Sequence, residues 1–70
     1  MEIIQIHTPY ITLAQFLKFS GMAATGGEAD EAIRGEEVLV NGEICTMRGK
    51  KLYGGEVVTY QNQQLQVKQA

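Results

Sequence analysis

The stretch Thr25–Gly42, TGGEADEAIRGEEVLVNG, changes its apolar period halfway along, and that change decides the architecture. Up to Arg34 the apolar residues Ala29, Ala32 and Ile33 recur at the spacing of one helix face. From Glu37 onward Val38 and Val40 fall on one face of a strand, and Asn41-Gly42 is the strongest short turn dipeptide, with Ile44 on the return. Thr25-Gly26-Gly27-Glu28 has the spacing of a capping box, in which a threonine hydroxyl and an acid three residues later satisfy each other's backbone N–H groups. Gly35 stands where a helix stop is wanted. The segment predicts a short helix with a narrow, alanine-rich face, followed by a hairpin-like turn.

The same grammar occurs upstream. Thr12-Leu13-Ala14-Gln15 is another capping box, Ile11 and Phe16 are placed as a hydrophobic staple, and Leu13, Phe16 and Leu17 share one face before Gly21. This predicts a first helix over about residues 13–20, joined to the second by a tight connection around Met22-Ala23-Ala24. EIIQIH reads as an opening strand ended by Thr8-Pro9. Downstream, Leu52, Gly54-Gly55, Val57, Val58 and Tyr60 give a turn and a strand, and Leu65 and Val67 a last strand paired across Gln61 to Gln64. Lys68-Gln69-Ala70 reads as a frayed tail. The expectation is an α+β fold, two short helices packed on a small antiparallel or mixed sheet.

A chain of 70 residues holds one domain, residues 1–70, and a 44% hydrophobic share without low-complexity runs is that of a folded protein. Cys45 is the only cysteine, so no disulfide within the chain and no Cys-x-x-Cys ligand pair exists, and a reducing compartment is expected. MEIIQIHTPYITL has neither the basic start nor the apolar core of a signal peptide, and no run is long enough to span a membrane, so a cytoplasmic location is expected. His7 has no second histidine or cysteine partner for a metal, nor any placement as a base for Cys45.

The net charge of −2 argues against non-specific coating of nucleic acid, but the distribution is uneven. Acids gather at Glu28, Asp30, Glu31, Glu36 and Glu37; Arg48, Lys50 and Lys51 form a compact cationic cluster beside Gly49. With Lys18 and Arg34 these cations read either as phosphate contacts or as a solvated surface. The start of the second helix, Thr25, Gly26 and Gly27, reads either as a site where backbone N–H groups meet a phosphate or as a well-capped helix and nothing more. Glu28, Asp30 and Glu31 suit the positive end of that helix and must point away from any bound polyanion. Tyr10 and Tyr53 are candidates for stacking on unpaired bases, although Tyr53 is expected to be partly buried beside Leu52, Tyr60 to lie in the sheet's core, and Phe16 in the helix core.

The amphipathic first helix ending in glycine, the Thr-Gly-Gly-Glu-Ala start of the second, Val-Leu-Val-Asn-Gly and the later Gly-Gly-Glu-Val-Val together resemble the RNA-binding domain named after ribosomal small-subunit protein S4. The chain looks most like the small stand-alone bacterial members of the YaaA and YbcJ type, over about Ile11 to Val58. The resemblance implies an alpha-L RNA-binding motif whose two helices and following turn contact folded RNA, ribosomal RNA above all, with ribosomal proteins as further partners. It implies no catalysis by the domain itself, and no cofactor, small-molecule substrate or membrane is expected. The residues expected to make the contact are Lys18, Thr25, Gly26, Gly27, Arg34, Asn41, Arg48, Lys50 and Lys51. Two positions depart from the pattern: the family's usual basic residue in the second helix falls at Gly26 or Asp30, and its glycine before the valine strand falls at Glu36, one residue after Gly35.

Two other functions fit parts of the sequence. A β-grasp sulfur-carrier-like protein shares the Val-Asn-Gly signal, but its chemistry needs a carboxy-terminal Gly-Gly where this chain reads Val67-Lys68-Gln69-Ala70. A protein-interaction adaptor is favoured by the acidic second helix. No convergent acid, base and nucleophile set indicates an enzyme.

Overall fold

The computed structural model describes residues 1–70. The elements run β1 (Glu2–Ile6), β2 (Ile11–Thr12), α1 (Leu13–Phe19), α2 (Gly26–Arg34), β3 (Leu39–Val40), β4 (Glu43–Ile44), β5 (Lys51–Leu52), β6 (Val57–Tyr60) and β7 (Gln63–Gln69). Five strands form one sheet in the order β1-β7-β6-β3-β4, while β2 and β5 make a separate two-stranded ladder. β1 lies parallel to β7, from Glu2 opposite Leu65 to Ile6 opposite Gln69, and the other pairs are antiparallel. The fold is therefore α+β with a mixed sheet. No helix is long and apolar enough to cross a membrane.

The two periods expected from the sequence converge on one core. Leu13, Phe16 and Leu17 of α1 and Ala29, Ala32 and Ile33 of α2 are buried with Ile6, Val38, Val40, Leu52, Val58, Tyr60, Leu65 and Val67. Burying one large apolar side chain contributes about 1.5–3 kcal/mol, so this cluster is what holds so short a chain folded.

The capping box at α1 is complete. Thr12 Oγ1 accepts from the Gln15 N–H and Gln15 Oε1 from the Thr12 N–H. After α1, Gly21 takes the left-handed conformation at φ 83°. α2 also ends where expected, but differently. Gly35 has φ −79°, and the left-handed residue is Glu36 at φ 61°. The Glu36 N–H donates to Ile33 O and the Glu37 N–H to Ala32 O, the paired bonds that close a helix around a left-handed residue. Gly35 serves closeness instead: a Cβ there would lie 3.0 Å from the Glu31 carbonyl oxygen.

The expected turn at Asn41-Gly42 is present, with φ 52° and 83°, and its reach is longer than the dipeptide reveals. The Asn41 N–H donates to Val57 O, while Asn41 Oδ1 accepts from the Val57 N–H, tying the hairpin to β6. Between β6 and β7 the connection is only Gln61 and Asn62, both left-handed at φ 50° and 64°, shorter than the expected Gln61–Gln64 loop. The tail is not frayed. Lys68 and Gln69 pair with Gln5 and Ile6, the Ala70 N–H donates to Ile6 O, and Gln69 Nε2 donates to the Thr8 and Pro9 carbonyls. Parallel pairing with β1 accounts for this order, and it is a contact between the two ends of the chain.

Candidate nucleic-acid interface

The cationic segment is built onto the first helix. The first N–H groups of an α-helix have no partner inside it. Here the Leu13 N–H donates to Lys50 O at 2.8 Å and the Ala14 N–H to Arg48 O at 3.1 Å. The Lys50 N–H closes a turn on Met47 O. Thr12 and Lys51 then pair in the β2–β5 ladder. The backbone of Arg48, Lys50 and Lys51 is thus fixed against the two-helix unit while their side chains remain exposed.

The second helix meets this segment through a carboxylate. Arg48 Nη1 lies 3.1 Å from Asp30 Oδ2, the only ion pair in the molecule. Asp30 therefore faces the cationic cluster instead of pointing away from it, contrary to the sequence expectation for that residue. Its other oxygen, Oδ1, is shielded and has no hydrogen-bond partner. Arg34 Nε donates to the Asp30 carbonyl one turn back, and Asp30, Arg34, Thr46 and Arg48 line a polar notch of about 210 Å³. With the Arg48 side chain 71% exposed, the pair is largely solvated on that side and contributes about 0–1 kcal/mol, so its effect is to orient Arg48 more than to stabilise the fold.

At the start of α2, Thr25 Oγ1 accepts from the Glu28 N–H, half of the expected capping box. The other half is diverted. Glu28 Oε1 accepts from the Ala24 N–H and Oε2 accepts from the Tyr60 hydroxyl, 32 residues away. Burial, that bond and the charges of Glu28 and Glu37 push the Tyr60 phenol above its ordinary value. The Gly26 and Gly27 N–H groups keep no partner within the chain, and both residues are exposed.

The contact set implied by the sequence is brought together in part. Arg34 and Arg48 line the notch together, Lys51 lies in the ladder opposite Thr12, and Lys50, one residue before it, lines a separate hollow with Asn41, Glu43, Ile44 and Glu56. Lys18 is exposed in the last turn of α1 with no acidic partner. Thr25, Gly26 and Gly27 form the exposed start of α2, while the Asn41 side-chain oxygen is occupied by Val57. Tyr53 is 55% exposed, not half-buried beside Leu52, because β5 turns Leu52 into the core and its neighbours outward. Tyr60 and Phe16 are buried as expected, while Phe19 is exposed. Sequence reasoning missed Glu56, whose carboxylate accepts from the N–H groups of Tyr53 and Gly54 and fixes the turn after β5. Burial pushes the Glu56 carboxyl up, but the N–H groups of Tyr53, Glu56 itself and Gly54, with Lys50 nearby, outweigh it and hold it below the ordinary value. An acid just after Gly-Gly was its only signal in the sequence. No three His, Cys, Asp or Glu side chains gather as metal ligands.

Comparison with known proteins places the fold in a family. A curated relative, a probable ribosome maturation protein RlbA from Bacillus subtilis, is 49% identical over 55 residues, covering 79% of this chain and 78% of its own length. The solution structure of YbcJ from E. coli, described as revealing an αL motif involved in RNA binding, superposes with a TM-score of 0.74 at 28% identity, over 97% of this chain and 87% of that one. The S4 domain model matches residues 4–68, wider than the Ile11–Val58 span read from the motifs, because β1 and β7 are part of the fold. With nearly its whole length inside that match, the chain belongs to the S4 domain family.

Proposed function

We propose that this protein binds structured RNA without catalysis, ribosomal RNA or a ribosomal particle in particular, by recognising backbone phosphates and shape. The observation that carries the reading is the anchoring of Arg48 and Lys50 to the first turn of α1 by two backbone hydrogen bonds, which fixes the backbone that carries these cations against the helical pair. Fixed cations release counterions on meeting phosphates without a further ordering cost for their backbone. Lys50 and Lys51 have no ion-pair partner, so both are available to phosphate. Membership of the S4 family, the RNA-binding motif named for YbcJ and the ribosome maturation role named for RlbA support the same reading.

Filter binding of ribosomal RNA across a salt series tests it. Lys50→Glu with Lys51→Glu is expected to weaken retention and to lower the salt slope by about one per lost phosphate contact, with the circular dichroism spectrum unchanged. Absence of retention by the unmodified protein at low salt would refute the reading. An adaptor that binds a protein instead is the second reading, and the observation favouring it is Asp30 within the cationic cluster. A pull-down that returns one protein and no RNA would select it.

A further inference from the structure

The β2–β5 ladder carries a second surface beside the phosphate-binding array. Its register is Ile11 opposite Leu52 and Thr12 opposite Lys51. Side chains alternate across a strand, and Leu52 is fully buried while Ile11 packs against the core. Lys51 and Tyr53, on either side of Leu52, therefore face solvent, and Tyr10 joins them just beyond the Ile11–Leu52 pair. Lys51 Nζ lies 4.9 Å from the Tyr10 ring centroid, and the Tyr10 and Tyr53 rings are 6.1 Å apart, tilted at 56°. Tyr10 is 40% exposed and Tyr53 55%.

These rings are not equivalent. One face of Tyr10 is covered by the Lys51 ammonium, so its role is to brace Tyr53 and hold the cation. Tyr53 is the more open ring, tilted relative to Tyr10 and not stacked on it. Its backbone is fixed, because its own N–H and that of Gly54 donate to the Glu56 carboxylate at 2.8 and 2.7 Å. An aromatic ring on a pinned backbone, next after Lys51 on the same face of the strand, is the arrangement that takes a base while cations take the adjoining phosphates.

We propose that Tyr53, braced by Tyr10 and flanked by Lys51, is a stacking platform for an unpaired base adjoining the helical RNA held by the cationic array. The site rests on the RNA-binding reading and adds a preference for a junction between paired and single-stranded RNA. Stacking uses the π-face common to all bases, so the platform selects unpaired nucleotides without a strict sequence.

The test uses two synthetic RNAs, a blunt hairpin and the same hairpin with a short unpaired adenosine tail. Three protein forms are compared: unmodified, Tyr53→Leu and Tyr53→Phe, with folding checked by circular dichroism. The tail is expected to tighten binding of the unmodified protein by roughly tenfold, the size of one base-on-aromatic stack. Tyr53→Leu should lose that gain and bind the blunt hairpin as before, and Tyr53→Phe should keep it. With no tryptophan in the chain, emission comes from Tyr10, Tyr53 and the buried Tyr60, of which only the first two are open to a ligand, and the tailed RNA should quench it more than the blunt one. Equal affinity of the unmodified protein for both RNAs, or a full tail effect in Tyr53→Leu, overturns the platform and leaves RNA binding standing. Failure to bind either RNA overturns both.

Discussion

The two helices begin with the same four-residue grammar, Thr-x-x-Gln at Thr12 and Thr-x-x-Glu at Thr25, and the structure completes only one of them locally. At α1 the Gln15 amide turns back to Thr12, and the next N–H groups are covered by the carbonyls of Lys50 and Arg48. At α2 the Glu28 carboxylate passes its own cap to take the Ala24 N–H and the Tyr60 hydroxyl, and the glycine N–H groups stay open. A neutral amide satisfied within one turn secures a helix. A carboxylate in the same place also attracts a distant donor, and so ties the helix to the sheet. The helix ends differ in the same way, with glycine in the left-handed position after α1 and glutamate there after α2.

That contrast can be broken experimentally at four points. Gly21→Ala forces a side chain into the left-handed region and should cost about 1–2 kcal/mol, read as a lower urea midpoint at unchanged slope. Thr12→Ala and Thr25→Ala each remove a cap and should cost about 1 kcal/mol. Thr12→Ala should also loosen the Arg48–Lys51 segment, visible as faster amide exchange of Leu13 and Ala14, whereas Thr25→Ala should leave those amides protected. Glu36→Gly should raise stability by up to about 1 kcal/mol by relieving the left-handed glutamate, and an unchanged melting temperature would show that the strain is already offset.

The smallest effect is in pH. Tyr60 has a folded-state pKa above the unfolded value of about 10, since burial, the bond to Glu28 and the charges of Glu28 and Glu37 all disfavour the phenolate. Its contribution is complete below that value and disappears as pH rises through the folded-state pKa. Urea midpoints measured at mildly alkaline and strongly alkaline pH should therefore fall more steeply for the unmodified protein than for Tyr60→Phe.

Much of the fold was legible because its signals are short-range. Capping residues sit within one helical turn of the groups they satisfy, Asn41-Gly42 needs only its own backbone angles, and buried stripes follow from period alone. The family resemblance rested on the same local words. What escaped the reading joins residues far apart: Asp30 with Arg48, Glu28 with Tyr60, Gln69 with Thr8 and Pro9. The candidate site was legible as a group of cations. Its geometry was not, because Arg48 and Lys50 are placed through backbone carbonyls, which every residue has and no sequence pattern marks.

By itself the sequence determined two capped helices, a hairpin at Asn41-Gly42, an apolar core and a cationic segment from Arg48 to Lys51, since each depends on chemistry within a few residues. Only the tertiary structure decided that the last strand runs parallel to the first, that Asp30 enters the cationic cluster and that Tyr53 faces solvent. Those outcomes depend on which surfaces meet once the chain is compact, and bonds across 18 to 61 residues of sequence leave no local trace of their partner.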